Sequence, residues 1–159
     1  MKRIFLTLAV MALTIVSFSA IASAKVEIPL ENGAQLIIYE DWSEIPASKI
    51  SRSVPMTIAN GSFPAYPSFN YAHGSDGDEN IPLGLNNTIR ITFVDKKIGI
   101  YICVKDVTNN TTHTPLSLLS HSVAAFEIRG LTSNHTYKVG FAGGGSAVTI
   151  NGTIDVINT

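Results

Sequence analysis

The run Thr88-Ile89-Arg90-Ile91-Thr92-Phe93-Val94-Asp95-Lys96-Lys97-Ile98-Gly99-Ile100-Tyr101-Ile102-Cys103-Val104 decides the fold class. Its first half alternates with a period of two. Ile89, Ile91 and Phe93 fall on one face of an extended chain, and Thr88, Arg90 and Thr92 on the other. Ile98, Ile100, Ile102 and Val104 make a second apolar row. The charged triplet Asp95-Lys96-Lys97 between them reads as a tight turn, so the two runs predict an antiparallel hairpin with one wet side. Cys103 is the only cysteine of the 159 residues, which excludes an intramolecular disulfide. Its place in an apolar strand predicts a buried, inert thiol.

Working outward, the same period recurs and helical periodicity is nearly absent. Gln35 to Glu40 is a strand. Asp41 to Ile50, broken by Pro46, is a connection with one turn of helix. Ser53 to Ala59 is a strand with Val54, Met56 and Ile58 on one face, and Pro55 on the opposite parity marks an edge or a bulge. From Asn60 to Asn87 the residues Gly61, Pro64, Pro67, Gly74, Gly77, Pro82 and Gly84 lie too close together for a long element. Only a short strand around Ser68 to Ala72 interrupts this loop, and a loop of such length inside a compact domain is where function concentrates.

Downstream, Thr108 to Thr112 is polar loop. Thr114-Pro115-Leu116 has the form of an N-cap followed by proline at the first helical position, which predicts a short helix over Pro115 to Ser120. Ala124 to Ile128, Thr136 to Ala142 and Ala147 to Ile157 are the closing strands. Asn151-Gly152 favours a hairpin turn in the last of them. The shared parity of Val148, Ile150, Ile154 and Val156 favours one long strand bent at Gly152.

The amino terminus has three parts: basic Met1-Lys2-Arg3, apolar Ile4 to Phe18, and small residues ending in Ala22-Ser23-Ala24. This is the layout of a cleaved secretion signal spanning residues 1–24. It predicts a single exported domain over residues 25–159, at the cell surface or in the periplasm. No later apolar run is long enough to span a bilayer, so no membrane insertion is expected after cleavage. The exported part keeps nine basic and 12 acidic residues, a net charge of −3. Without a basic cluster, that balance argues against nucleic acid and against docking on anionic lipid.

Gly130-Leu131-Thr132-Ser133-Asn134-His135-Thr136-Tyr137 resembles the tyrosine corner of fibronectin type III and related immunoglobulin-like modules, where the leucine packs and the tyrosine hydroxyl bonds back to the backbone. The resemblance covers residues 88–157. It implies an all-β fold, an antiparallel β-sandwich with at most one or two short helical turns, and a binding or spacer role. The chain departs from that pattern in three places. No tryptophan stands on an early strand, Trp42 lying in a connection instead; the antibody-type disulfide is absent; and the loop at 60–87 is larger than such modules carry.

Two segments of that loop carry candidate chemistry. Asp76, Asp78 and Asn80 have the one-three-five spacing of a calcium loop. Ile81 stands where that motif needs glycine and Asn87 where it needs glutamate, so an EF-hand is excluded. A looser calcium site and a solvated acidic tip remain the two readings. Tyr66, Phe69 and Tyr71 crowd a short Pro-containing stretch. With Trp42, they predict a surface that stacks on a glycan or receives an extended peptide, the alternative being rings that anchor the loop to the core. His73, His113, His121 and His135 match no compact zinc spacing. No serine sits on a glycine-flanked elbow, and Gly143-Gly144-Gly145 opens no helix. Six Asn-X-Ser/Thr triplets carry no function by themselves. The sequence therefore predicts a non-enzymatic extracellular binding module. Its alternative is a structural subunit of a surface assembly, self-associating through an exposed edge at Ser53 to Ala59 or through the terminal strand.

Overall fold

The computed structural model describes residues 26–58, 64–74, 77–143 and 151–158. The proposed signal segment and Asp76 lie outside them, as does Ala147 to Ile150. Ten strands follow one another: β1 (Val26–Pro29), β2 (Gln35–Tyr39), β3 (Ile50–Ile58), β4 (Asn70–Gly74), β5 (Ile81–Pro82), β6 (Thr88–Asp106), β7 (Thr111–Thr112), β8 (Leu116–Arg129), β9 (Thr136–Gly143) and β10 (Gly152–Ile157). Two single 3-10 turns, Glu31–Gly33 and Trp42–Glu44, are the only helical pieces among the described residues. The second is the expected turn, started by Asp41, whose side chain accepts from the Ser43 backbone N–H at 3.0 Å.

The strands close into a five-stranded barrel, β6-β10-β3-β4-β9 and back to β6. This overturns the expected immunoglobulin-like sandwich. The cause lies in the stretch that set the fold class. Thr88–Asp106 is one 19-residue strand, not a hairpin. β8 runs along one edge of β6 from Ile89 to Ile102, with β7 taking up Lys105 and Asp106, while the other edge is shared. β10 pairs with Thr88 to Phe93, and β9 pairs with Ile100 to Asp106.

Between these stretches β6 bends. Its register against β8 slips between Thr92 and Lys97 and again between Ile98 and Ile100, and Gly99 sits at φ +74°. Such bulges add residues to one strand and sharpen its twist. The bend sends the two halves of β6 into different walls, and β3 and β4 bridge the gap between β10 and β9. Asp95-Lys96-Lys97 is thus a bulge and not a turn. The bulges also absorb the change of parity from Phe93 to Ile100, both of which are buried.

The predicted helix at Pro115 to Ser120 is the start of β8 instead. Proline is tolerated immediately before a strand, and the Thr114 hydroxyl donates to Glu31 Oε1 at 2.8 Å rather than capping a helix. Pro55 lies in the part of β3 that pairs with β10 alone, since β4 joins only from Met56 onward. β10 is paired on both sides, by β3 and β6. Gly152 opens it at close quarters, for a Cβ there would stand 2.1 Å from the Thr92 carbonyl oxygen.

Inside, Phe93, Phe126 and Phe141 form a triangle with ring centroids 6.0 Å apart on each side. Inclined aromatic pairs of this kind add about 0.5–1.5 kcal/mol each beyond their burial. Ile89, Ile91, Ile100, Ile102, Val139 and Ile154 complete the filling. Outside the barrel, β8 continues to β2 and β1, and the segment after β2 folds back over this extension. Ile45 packs on Ile37, Tyr39 and Ala125. Beneath it, Glu127 is fully buried and accepts from Arg90 Nε at 2.7 Å and from Arg129 Nε at 2.6 Å. The Arg90 guanidinium also donates to the Pro46 carbonyl at 3.0 Å and the Ser48 hydroxyl at 2.8 Å, tying the strap down.

Candidate functional site

The aromatic residues singled out in the sequence divide between two places. The backbone of 64–66 docks on the end of β9, with Tyr66 N donating to Gly143 O at 3.3 Å and Gly143 N to Pro64 O at 2.9 Å. Tyr66 lies 49% exposed and stacks on Tyr101 of β6, centroids 4.5 Å apart and planes inclined by 22°. Phe69 meets Tyr66 edge-on at 6.0 Å. Phe69 and Tyr71 lie over Gly140, where an added Cβ would come within 3.2–3.3 Å of them. A glycine here lets the Tyr71 ring and the Phe69 Cβ rest directly on the barrel wall. Lys138 stands 5.5 Å from the Tyr71 centroid and pairs with Glu79 at 2.8 Å. Phe69 and Tyr71 thus act largely as anchors, while Tyr66 presents itself to solvent.

Trp42 belongs elsewhere. Its indole N–H donates to the Phe93 carbonyl at 2.9 Å, and Lys96 lies 5.3 Å over its ring while pairing with Asp41 at 3.0 Å. Two hydrogen bonds from Ser43, with the Lys96 ammonium, hold the Asp41 carboxyl down at about 2. Trp42 therefore braces the bend of β6, and none of its described ring or hydrogen-bond contacts reaches Tyr66. In the acidic loop, Asp78 Oδ1 accepts from both the backbone and side-chain nitrogens of Asn80 at 2.9 Å. Among the described residues no group of three metal-ligating side chains converges.

Cys103 is buried, as expected, and burial pushes its thiol up. His121 meets Glu40 Oε1 at 3.1 Å, and His135 meets Asp106 Oδ2 at 2.8 Å. Burial opposes ionisation of Asp106. The bonds from His135 and from the Asn109 backbone N–H outweigh it and hold the carboxyl below its ordinary value.

Asp106 also lines a feature the sequence did not announce, a polar cavity of about 260 Å³. Its walls come from the turn between β1 and β2 (Glu31, Asn32), the end of β6 (Asp106), the loop around β7 (Asn109, Thr111, His113), the corner before β9 (Thr132) and the start of β9 itself (Tyr137). His113 is 7% exposed, and its backbone N–H is satisfied by Val104 O at 2.9 Å. Its Nδ1 is buried without a hydrogen-bond partner among the described residues. The nearest carboxylate oxygen, Glu31 Oε2, is 3.9 Å away, beyond hydrogen-bond reach. Leaving such a nitrogen unpaired costs about 1–3 kcal/mol. No local motif marks this site: Glu31, Asp106 and His113 come from separate elements, and only the folded barrel brings them together.

No family model, curated protein or solved structure matches the chain. The functional reading rests on the geometry alone.

Proposed function

We propose that the protein is an exported, non-catalytic binding module that receives a glycan on the Tyr66 ring. The observation that carries the reading is the Tyr66–Tyr101 stack: a half-exposed ring on a loop, held at a fixed attitude by a second ring on β6. A ring already immobilised loses little freedom when it meets a ligand, which is how preorganisation favours binding. The flat apolar face of a pyranose complements such a ring, and its hydroxyls remain free for polar neighbours. The non-catalytic part of the reading is supported by the thiol of Cys103, which is buried and whose ionisation burial opposes.

The test is a thermal-shift screen against soluble cell-wall and plant glycans, with and without calcium. The expected result is a raised midpoint with one glycan class, since a ligand bound only by the folded state stabilises it by mass action. Tyr66→Ala should abolish the rise while leaving the unliganded midpoint nearly unchanged. A rise that persists in Tyr66→Ala would overturn the assignment to this ring. A response to extended peptides alone would overturn the ligand class. Loss of the rise on chelation would add calcium to the site. Concentration-dependent sedimentation with no glycan response would favour a self-associating structural subunit instead.

A further inference from the structure

The cavity bounded by Glu31, Asp106 and His113 shares no residue with the Tyr66 surface and poses its own chemical question. We infer that it is a second binding site, for a small primary amine that also carries hydroxyl groups, of which an amino sugar is the simplest example.

Three observations converge. The first is the unpartnered Nδ1 of His113, a polar atom more than nine-tenths buried in the wall of a cavity large enough for a ligand of monosaccharide size. Concave sites with a few convergent polar groups are where small ligands bind. The second is charge. Two carboxylates, Glu31 and Asp106, line the cavity and neither lysine nor arginine does, so a cation is drawn in and an anion repelled.

The third is spacing. Glu31 Oε2 and His113 Nδ1 lie 3.9 Å apart, and Glu31 Oε1 is already occupied by the Thr114 hydroxyl. A single donor atom about 2.9 Å from each, an ordinary hydrogen-bond length, would bridge that separation once the His113 ring turns its buried Nδ1 toward the cavity. An ammonium nitrogen has several hydrogens and can donate to both acceptors at once, with Nδ1 as the bare nitrogen of a neutral imidazole. Asp106 is already engaged by His135 and Asn109, so its part is chiefly to supply field. The amide and hydroxyl side chains of Asn32, Asn109, Thr111 and Thr132 surround the remaining space with donors and acceptors that suit hydroxyls.

The experiment is isothermal titration of the purified protein with glucosamine, with glucose and N-acetylglucosamine as companions. Glucose lacks the nitrogen, and the acetylated sugar lacks its positive charge. The expected result is saturable binding of glucosamine alone, weakened at least tenfold by Glu31→Gln. The Glu31 side chain is 58% exposed, so this variant should fold normally, and its thermal midpoint checks that. His113→Leu should weaken binding likewise, and NMR of the imidazole nitrogens should show His113 shifting on titration of the unaltered protein. Equal binding of all three sugars would overturn the amine requirement. Binding unaffected by Glu31→Gln, or no response of the His113 ring at saturating glucosamine, would overturn the site. None of these outcomes depends on whether Tyr66 binds a glycan, because Tyr66→Ala leaves the cavity intact and serves as the control.

Discussion

The hydroxyl oxygen of Tyr137 accepts a hydrogen bond from the backbone N–H of Thr132, five positions earlier, at 3.0 Å, closing a loop at the entrance to β9. The ring is buried beside the core while its polar end satisfies a peptide group at the corner, so one side chain serves packing and backbone together. Tyr137→Phe keeps the ring and removes the bond. The expected loss is about 0.5–1.5 kcal/mol of unfolding free energy, to be measured by urea denaturation with an unchanged m-value. A neutral result would mean that solvent replaces the hydroxyl at Thr132.

Asp106 gives the protein an acid sensitivity whose sign follows from its bonds. Its carboxyl is held below the ordinary value in the folded state, so the unfolded chain takes up that proton first as pH falls. The stabilisation is complete above the unfolded carboxyl value of about 3.9 and is lost as pH falls through the folded value. Melting curves between pH 5 and pH 2 should therefore slope downward. Asp106→Asn should flatten that slope, while starting from a lower midpoint at pH 5. An Asn variant with the slope of the parent would assign the effect to other carboxylates.

Glu127 holds two arginines under the strap, with no exposure of its own. Glu127→Gln leaves the shape nearly intact and strands the buried Arg90 without its counter-charge. A loss of about 3–5 kcal/mol is expected, the cost of breaking rather than replacing a buried pair. Chemical denaturation of the variant measures it. A loss below 1 kcal/mol would show that Pro46 O and Ser48 Oγ suffice for Arg90.

Cys103 reports on the aromatic loop. It lies opposite Gly140 in the β6–β9 pairing, and Tyr71 rests on Gly140. Tyr71→Ala should uncover the thiol and speed its reaction with a maleimide or aromatic disulfide by tenfold or more, whereas Tyr66→Ala should not. Equal rates in the two variants would mean that the wall, not the loop, protects the sulfur.

Much of this architecture was legible because burial of one sheet face writes itself into alternation. Ile89, Ile91, Phe93, Ile100, Ile102, Val104, Ile154 and Val156 all point inward, as their parity said. The turn at Trp42 and the buried Cys103 were legible for local reasons. The closure was not. A polar triplet such as Asp95-Lys96-Lys97 suits a turn and a bulge equally; the bulge buries Lys97 and turns Ile98, the first residue of the expected second apolar row, out to 67% exposure. Thr114 misled because its hydroxyl serves Glu31, 83 residues away, instead of the backbone ahead of it. The tyrosine corner was read correctly as a contact and wrongly as a sandwich, since its bond depends on five residues and the barrel on strands more than a hundred apart. The cavity had no local signature at all, because His113 and Glu31 meet only across the finished fold.

One stave of the barrel sets the order of events. β10 inserts between β6 and β3, and its register joins Asp155 to Ser53, 102 positions earlier. The ring of strands cannot close until that last stave is present, however long the rest has been synthesised. A chain that still lacks β10 is therefore an open sheet with an unfilled seam between β6 and β3. That seam is the place where a chaperone, or a stray strand from a neighbour, would have its opportunity.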